Sequence, residues 1–330
     1  MTTISDVARA AGVSAATVSR VLNGSSPVSD DRAVRVREAA ASLGYQPSGP
    51  ARALRRQRTT VWAAIVADVR NPFFTSMIRG VEDVAQAADH RLVLCNSDED
   101  PAKEAAYIDV AIADRVAGVI IAVASTTRSN LDRLHRAGVP VVAVDRRPKG
   151  DGIDSVVVDN RGGARAAVEH LLSEGARRVG IITGPNRVST AESRLSGYRA
   201  ALKARGIEFD PALVRRADFR AEGGHAAALS LLDEPDHPDA FFVANNLMTL
   251  GALRALRERR KRVPKDVAIV GFDDAPWTTL ITPTLTVVAQ PTYEMGRQAA
   301  QLLVTASPDR PPRHLVLAPE LVVRASSSTR

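Results

Sequence analysis

The chain has 330 residues, of which 45% are hydrophobic, and its formal net charge is +7. This length and composition predict a multidomain globular protein and exclude a disordered or fibrous one. The single cysteine, Cys95, excludes a disulfide framework and fits a reducing compartment. Because residues 2–9 lack the apolar stretch of a secretory leader and no apolar run is long enough to span a membrane, we expect a cytoplasmic protein.

Residues 2–24 are predicted to form two short helices joined by a tight turn. The first helix has apolar residues at the i, i+3, i+4, i+7 spacing of one helical face, namely Ile4, Val7, Ala8 and Ala11. Gly12 follows at a position that favours positive φ, and the side-chain oxygen of Ser14 can cap the second helix. The second helix is predicted to bury Val18, Val21 and Leu22 and to expose Ala15, Ala16, Thr17, Ser19 and Arg20.

This pattern is typical of a helix-turn-helix that binds DNA. Small residues at the start of the second helix let its backbone approach a major groove, and the guanidinium of Arg20 matches the O6 and N7 acceptors of guanine. The alternative is an ordinary helical domain, because paired amphipathic helices also occur in proteins that never bind DNA. Residues 1–60 contain nine arginines and four acidic residues, so much of the excess positive charge lies where a phosphate backbone would use it.

A third helix and a basic linker are predicted next. Ser29 is a candidate N-cap, and the two aspartates after it suit the positive end of the helix dipole. The face that packs on the first two helices is predicted to contain Val34, Ala41 and Leu43, and Gly44 ends the helix. The residues that follow are rich in Pro, Gly and Arg. We therefore divide the chain into a head at 1–46, a hinge or linker at 47–59 and a core at 60–330.

In the core, short apolar runs rich in Val and Ile alternate with helical stretches. The predicted strands are 61–67, 92–95, 118–123, 139–144, 154–158, 178–182, 239–244, 267–272 and 285–288. The predicted helices are 74–89, 103–115, 129–137, 161–174, 192–205, 221–233 and 247–260. Fully apolar strands that alternate with helices indicate parallel sheets covered on both faces. The strands are too many for one compact sheet, so we expect two similar α/β lobes with a break near residue 160.

Seven segments, in order along the chain, carry a resemblance to a known family. They are ISDVARAAGVSAATVSRVLNG (4–24), LGYQP (43–47), NPFF (71–74), VDR (144–146), GYRAAL (197–202), ANNLM (244–248) and VGFDD (270–274). On these segments the chain resembles the lactose-repressor/galactose-repressor (LacI/GalR) family of bacterial transcription regulators along nearly its full length. The resemblance implies an all-α DNA-binding head on an α/β core shaped like a type I periplasmic sugar-binding protein.

The same resemblance implies how the core and the assembly are organised. Three crossovers would link the lobes, the first at about 60–160 and 290–318 and the second at about 161–289 and 319–330. Members of the family are homodimers that bind near-palindromic operators, with a small-molecule effector in the cleft. Because only a short serine-rich segment follows the last apolar run, 315–323, we expect dimers and not tetramers.

For DNA, the resemblance places specificity positions at Ala15, Ala16 and Arg20. It matches Leu54 to a leucine on a hinge helix that orders on DNA and enters the minor groove, where an apolar wedge unstacks a base step. The chain departs from the family at 48–50, where Ser-Gly-Pro replaces the usual Asn and Ala, and glycine does not favour a helix. The predicted DNA-binding residues are Ser14, Ala15, Ala16, Thr17, Ser19, Arg20, Asn23, Arg52 and Leu54.

Polar residues that follow predicted strands are the candidate ligand contacts, because strand carboxyl ends direct loops into the crevice of an α/β lobe. They form the pairs Asp145-Arg146, Asn245-Asn246 and Asp273-Asp274. With aromatic rings, these donors and acceptors suit a sugar, and a purine stacked between the same rings is the alternative. The predicted effector-binding residues, most of them placed by the resemblance, are Phe74, Asp145, Arg146, Arg194, Phe219, Asn245, Asp273 and Trp277. Asn246 stands where the family commonly has aspartate.

Other interpretations of these residues remain open. Asn245 can equally cap the helix that follows it, and Asp273-Asp274 can be compared with the paired carboxylates of glycoside hydrolases. Signals for catalysis are weak, because no phosphate-binding glycine motif follows a strand and the six histidines lack metal-ligand spacing. We therefore predict a repressor controlled by a small molecule, with a sugar as the favoured effector and no cofactor. The alternatives are a stand-alone sugar-binding protein and a sugar-processing enzyme.

Overall fold

The computed structural model describes residues 2–23, 28–45, 59–124, 129–149, 152–186, 188–307 and 309–328. It contains two compact units, Met1–Thr60 and Val61–Arg330. The predicted DNA contacts Arg52 and Leu54, and the departure from the family at 48–50, lie outside the described residues. The helices in these ranges lack the combination of length and hydropathy that a bilayer span requires.

The first unit has three helices, α1 (Ile4–Ala11), α2 (Ala15–Asn23) and α3 (Asp30–Ser42). Thr3 and Asp6 form a capping box at the start of α1, and Gly12 follows its end with a φ of 64°. The Oγ atom of Ser14 accepts a hydrogen bond of 3.2 Å from the N–H of Thr17 at the start of α2. The two helices and the turn predicted from the sequence are therefore confirmed.

The buried face of α3 differs from the prediction. Val34 and Leu43 are 48% and 39% exposed, and Ala41 is exposed as well. The helix instead packs through Ala33, Val36, Ala39 and Ala40. Small alanines let α3 lie close to α1 around the fully buried Val36, and this close packing decides which face turns inward. Ser29 occupies the N-cap position, but its side chain makes no cap hydrogen bond.

The second unit contains two six-stranded sheets. The first sheet has the order β11-β5-β4-β3-β1-β2 and is parallel throughout. Its strands are β1 (Val61–Val66), β2 (Arg91–Asn96), β3 (Gly118–Ile121), β4 (Val141–Val144), β5 (Asp154–Val158) and β11 (His314–Leu317). The second has the order β12-β10-β9-β8-β6-β7, with only β12 antiparallel. Its strands are β6 (Val179–Thr183), β7 (Val214–Arg216), β8 (Ala240–Val243), β9 (Ala268–Phe272), β10 (Thr286–Ala289) and β12 (Glu320–Val322).

Helices cover both faces of each sheet, so the predicted fold class is confirmed. They are α4 (Pro72–Ala87), α5 (Pro101–Ala113), α6 (Ser129–Arg136), α7 (Asn160–Ser173), α8 (Ser189–Ala204), α9 (Ala221–Leu232), α10 (Asn246–Glu258) and α11 (Thr292–Val304). Each sheet with its helices forms one lobe. The chain passes to the second lobe after β5, returns between β10 and α11, and crosses again between β11 and β12. The loops that follow β1, β4, β8 and β9 contribute residues to one cavity, so these loops face the cleft between the lobes.

The serine-rich segment near the end of the chain is built into the second lobe. Ser326 and Ser327 are 1% and 0% exposed. The Oγ atom of Ser326 donates to the carbonyl of Ile269 at 2.7 Å and accepts from the N–H of Thr286 at 2.8 Å. Composition marks this segment as low-complexity, yet small hydroxyl side chains here satisfy the backbones of two neighbouring strands.

A close approach of α4 and α11 holds the first lobe together, and it depends on glycine. A Cβ atom at Gly296 would overlap the carbonyl oxygen of Met77. We expect Gly296→Ala to lower stability by about 1–3 kcal/mol, because the helices must separate to admit one methyl group. The control is Gln301→Ala, an exposed position on the same helix. Thermal denaturation should show a clear loss for Gly296→Ala alone, and equal melting temperatures would refute the argument.

Candidate functional site

The first candidate site is the outward surface of α2. Ala15, Ala16 and Arg20 are exposed there, as predicted, while Thr17 and Ser19 are half-buried. The hydroxyls of Ser14 and Thr17 lie 2.9 Å apart, so the start of the helix is held by its own side chains. Asn23 is the last residue of α2. The start of α2 therefore exposes two small side chains, Ala15 and Ala16, and one turn later the positively charged Arg20. A major groove can accommodate a helix with such a surface.

The second candidate site is a cavity in the cleft of the second unit. It has a volume of about 490 Å³, including the part open to solvent. Most of the predicted effector contacts line it together, namely Phe74, Asp145, Arg146, Arg194, Phe219, Asn245 and Asp273. Trp277 is not among its lining residues, because it lies half-buried in a 3-10 turn that packs against the core of the second lobe. The aromatic cover that we expected from Trp277 is therefore absent from this cavity.

Two buried carboxylates occupy equivalent positions in the two lobes. Asp145 follows β4 and Asp273 follows β9, and they are only 8% and 4% exposed. Their φ angles are 64° and 78°, a left-handed conformation that aspartate tolerates better than most residues. The N–H of each donates to the neighbouring strand, Asp145 to Val156 and Asp273 to Val288. This geometry turns both carboxylates into the cleft from opposite sides.

Two buried arginines lie beside these carboxylates and differ in their partners. Arg146 forms a two-pronged pair with Glu99, with Nη–Oε distances of 2.5 and 2.6 Å, and donates to the carbonyl of Val123. Arg194 is held by neutral groups, since it donates to Asn160 Oδ1 at 2.8 Å and to the carbonyl of Ala244 at 2.5 Å. The charge of Arg146 is thus compensated directly, and that of Arg194 faces the cleft.

Burial shapes the electrostatics of the cleft. It raises the pKa of Asp145 and of Asp273 above the usual range of aspartate, because the charged form loses hydration. It also lowers the pKa of Arg194. In Arg146 burial acts to lower the pKa, but the hydrogen bonds and charge of Glu99, together with the charges of Asp145 and Glu104, raise it on balance. As the pH falls, the two aspartates therefore take up protons earlier than exposed ones, and a ligand that donates to them is expected to bind less tightly.

Asn245 is the N-cap of α10. Its Oδ1 accepts from the N–H of Met248 at 2.8 Å, and its Nδ2 donates to the carbonyl of Phe219 at 3.0 Å. The helix-capping interpretation is therefore confirmed, and any ligand contact would come in addition to it. Phe219 itself has a φ of 62° and lies over Gly184, where any Cβ atom would overlap its ring.

The two carboxylates of the Asp273-Asp274 pair do not share a site. Asp273 accepts from Gln290 Nε2 at 2.5 Å inside the cavity. Asp274 instead pairs with Arg324 at 2.6 Å and accepts from the hydroxyl of Thr278 at 2.5 Å. The comparison with a glycoside hydrolase pair is therefore wrong, because adjacent residues of one loop point their carboxylates to different neighbours.

Several cavity residues were missed by the sequence prediction, namely Asp68, Asn71, Phe73, Glu99, Thr190, Asp218, Arg220, Leu247 and Gln290. Asp68 and Glu99 come soon after β1 and β2, so the strand-end rule applied to Asp145 would have found them. Asn71 joins the lobes, since its Oδ1 accepts from Asn246 Nδ2 at 2.9 Å. Across the described ranges, no group of His, Cys, Asp or Glu has the arrangement of a metal site.

Comparisons with known proteins agree on one family. The model for bacterial regulatory proteins of the lacI family matches residues 3–48, and that for a periplasmic binding protein-like domain matches residues 168–327. The ribose operon repressor of Halalkalibacterium halodurans is 36% identical over 311 residues, which are 94% of this chain and 92% of that protein. The solved complex of the transcriptional regulator CelR with cellobiose is 36% identical, with a TM-score of 0.76 and coverage of 99% and 100%. The lac repressor dimer bound to operator and the anti-inducer ONPF is 27% identical, with a TM-score of 0.86 and 99% coverage of both chains.

Proposed function

This chain belongs to the lacI family of bacterial regulatory proteins, and we propose that a sugar bound in its cleft controls how tightly its helix-turn-helix head binds an operator. The chain is a DNA-binding regulator of transcription and not an enzyme, because its relatives over nearly their whole length are repressors. Family membership also removes the stand-alone sugar-binding protein, since the head is part of the match. A regulator that binds operators acts where the chromosome is, so we place it in the cytoplasm.

One observation carries the effector assignment: the cavity collects Asp145, Asp273, Arg194 and Asn245 from both lobes beside Phe74 and Phe219. Carboxylates accept hydrogen bonds from adjacent hydroxyls, arginine and asparagine donate, and an aromatic ring covers the apolar face of a sugar. A purine needs few carboxylates, so this composition favours the sugar. Relatives point the same way, since one is named for ribose and one is bound to cellobiose.

The experiment is a ligand screen on the whole purified chain. Ribose, cellobiose and other neutral sugars are compared with adenosine by thermal shift, and every hit is measured by calorimetry. We expect one sugar to bind with one site per chain and to alter binding to an operator fragment. A purine that binds while all sugars fail would defeat the assignment.

On the DNA side, we propose that α2 reads the operator through Ala15, Ala16 and Arg20, with Ser14, Thr17, Ser19 and Asn23 contributing polar contacts near the backbone. The exposed position of Arg20 and the match of residues 3–48 to the family support this reading. Leu54 stays assigned to the minor groove, and Arg52 to DNA binding in general, on the sequence and the family resemblance alone. A near-palindromic operator would follow from a twofold-symmetric pair of heads.

We expect the protein to be a dimer, as the similar lac repressor structure is on its operator. Sedimentation equilibrium should then give twice the 35.2 kDa of one chain at micromolar concentration. We expect this mass because an operator with two half-sites needs two heads, and each chain contributes one head. A single species of one chain that still binds a palindromic operator tightly would contradict the proposal, and a dominant mass of four chains would contradict the expectation of a dimer.

A further inference from the structure

Glu99 is a charged residue of the cleft that is not among the proposed sugar contacts. It lines the cavity and forms the two-pronged pair with Arg146. The side chain of Arg146 is 4% exposed, whereas that of Glu99 is 27% exposed. The arginine is therefore the buried member of the pair, and the glutamate is the member that solvent reaches.

The backbone of the loop after β2 directs the carboxylate of Glu99 towards Arg146. Asp98 and Glu99 have consecutive positive φ angles of 54° and 62°, which non-glycine residues seldom adopt in sequence. Asp98 is fixed by Asn96 Nδ2 at 2.8 Å and by Lys103 Nζ at 2.5 Å. Strain of this kind persists only where surrounding contacts hold it, and here its result is that Glu99 faces Arg146.

Among the residues that line the cavity, Arg146 is the cation of the first lobe, and its pairing with Glu99 neutralises it, whereas Arg194 and Arg220 belong to the second lobe. Glu99 binds Nη1 and Nη2 of Arg146, while Nε is buried without a hydrogen-bond partner and lies 3.4 Å from Asp145 Oδ2. Asp145 and Asp273 add two further negative charges nearby. A phosphate or carboxylate entering this part of the cleft would meet three carboxylates and no unpaired guanidinium on the first lobe's side.

We propose that Glu99 sets which charge the effector can present to the first lobe: by occupying both terminal nitrogens of Arg146, it keeps a negatively charged group of the sugar from binding there. This inference deepens the proposed function and rests on it in one respect, namely that the effector is a sugar. The exclusion of anions is a property of the first lobe's side of the cleft and does not depend on which ligand binds. Without the charge of Glu99, at most one of its two hydrogen bonds to Arg146 remains, and the positive guanidinium becomes available to phosphate or carboxylate oxygens, whose geometry it matches.

The first test uses inorganic phosphate at constant ionic strength and needs no sugar. Phosphate can shift the melting temperature of the wild-type chain only through groups other than Arg146, such as the basic residues of the head. It should raise the melting temperature of Glu99→Gln by roughly 3 °C more than that of the wild-type chain, when phosphate is at ten times its dissociation constant for the altered cleft. Asp98→Asn is the matched control, since this neighbouring carboxylate contacts Asn96 and Lys103 instead of Arg146, and it should behave as wild type. The double variant Glu99→Gln/Arg146→Gln should lose the effect, because the freed cation is gone.

The second test compares ribose with ribose 5-phosphate, and cellobiose with cellobionate, by calorimetry. For a pair whose neutral member binds, Glu99→Gln should improve the anion relative to the neutral sugar by at least tenfold. A role limited to positioning Arg146 would weaken both members equally. If Glu99→Gln does not fold, Glu99→Ala is measured in the same way.

The outcomes separate the two proposals. If phosphate stabilises the wild-type chain as much as Glu99→Gln, or stabilises neither, the role of Glu99 is refuted whatever the sugar result. If phosphate acts as expected and no sugar binds, anion exclusion stands and the sugar assignment fails. A wild-type chain that binds ribose 5-phosphate as tightly as ribose would also overturn the inference.

Discussion

Replacing Asp273 by asparagine should abolish the response to sugar and leave operator binding intact. Asparagine keeps the shape of the side chain and tolerates the positive φ of this position. It removes a buried charge that faces Arg194 and that accepts from Gln290. Asparagine replaces one carboxylate oxygen by an amide nitrogen that cannot accept a hydrogen bond, and its remaining oxygen carries no charge. Each hydrogen bond to a charged group contributes about 1.5–3 kcal/mol, so sugar binding weakens roughly 10- to 150-fold for the hydroxyl that loses its acceptor, and the response is lost at sugar concentrations that saturate the unaltered chain.

Calorimetry with the best sugar of the screen measures this effect. The control is Asp274→Asn in the same loop, whose carboxylate pairs with Arg324 outside the cavity. That variant should bind the sugar normally. Normal sugar affinity in Asp273→Asn would remove Asp273 from the effector site.

Replacing Arg20 by alanine should weaken operator binding by about 1–3 kcal/mol for each half-site and relax the preference at one base position. The reason is that an exposed arginine on the reading helix makes two parallel hydrogen bonds to one guanine. Fluorescence anisotropy on the operator and on fragments with single base changes measures both effects.

Arg20→Lys is the matched variant, because lysine keeps the positive charge but cannot donate the two parallel hydrogen bonds of a guanidinium. It should retain affinity for unrelated DNA and lose the base preference. Equal loss of affinity on every sequence in Arg20→Ala would reassign Arg20 to a phosphate contact.

The sequence predicted the head and the sheets well, because local chemistry determines them. Gly12 and Ser14 mark one helix end and one helix start, and each makes the expected contact. Short apolar runs rich in Val and Ile between helical stretches indicated parallel strands, which gave the fold class, although Val93 and Leu94 of the edge strand β2 are 50% and 45% exposed. The elements without a prediction were α11 and three strands, β7, β11 and β12. Those strands are three or four residues long and lie at sheet edges. Because edge strands are less buried, their sequences show little of the apolar pattern from which strands are predicted.

The cleft was predicted in part, and its errors share one physical reason. Strand ends identify which backbones reach the cavity, so Asp145 and Asp273 were found. They do not identify where a side chain points once it leaves the loop, so Asp274 and Trp277 lie elsewhere. Hydrogen-bond partners that are distant in sequence could not be predicted either. The pairing of Glu99 with Arg146 is the clearest example.

The account makes the head and the cleft two sites of one coupled system. A sugar that contacts both lobes favours one angle between them, and the lobe angle would set the spacing of the two segments that lead to the heads. Effector and operator must then change each other's affinity by the same factor. Asn71 and Asn246, which join the lobes directly, would move with this change.

The most direct test is the operator affinity of the whole chain with and without a saturating concentration of the sugar that calorimetry identifies. The account predicts a change of roughly 5- to 150-fold in either direction, which is the usual range of allosteric coupling, and the loss of that change in Asp273→Asn. A sugar that fills one site per chain and leaves operator affinity unchanged would contradict it.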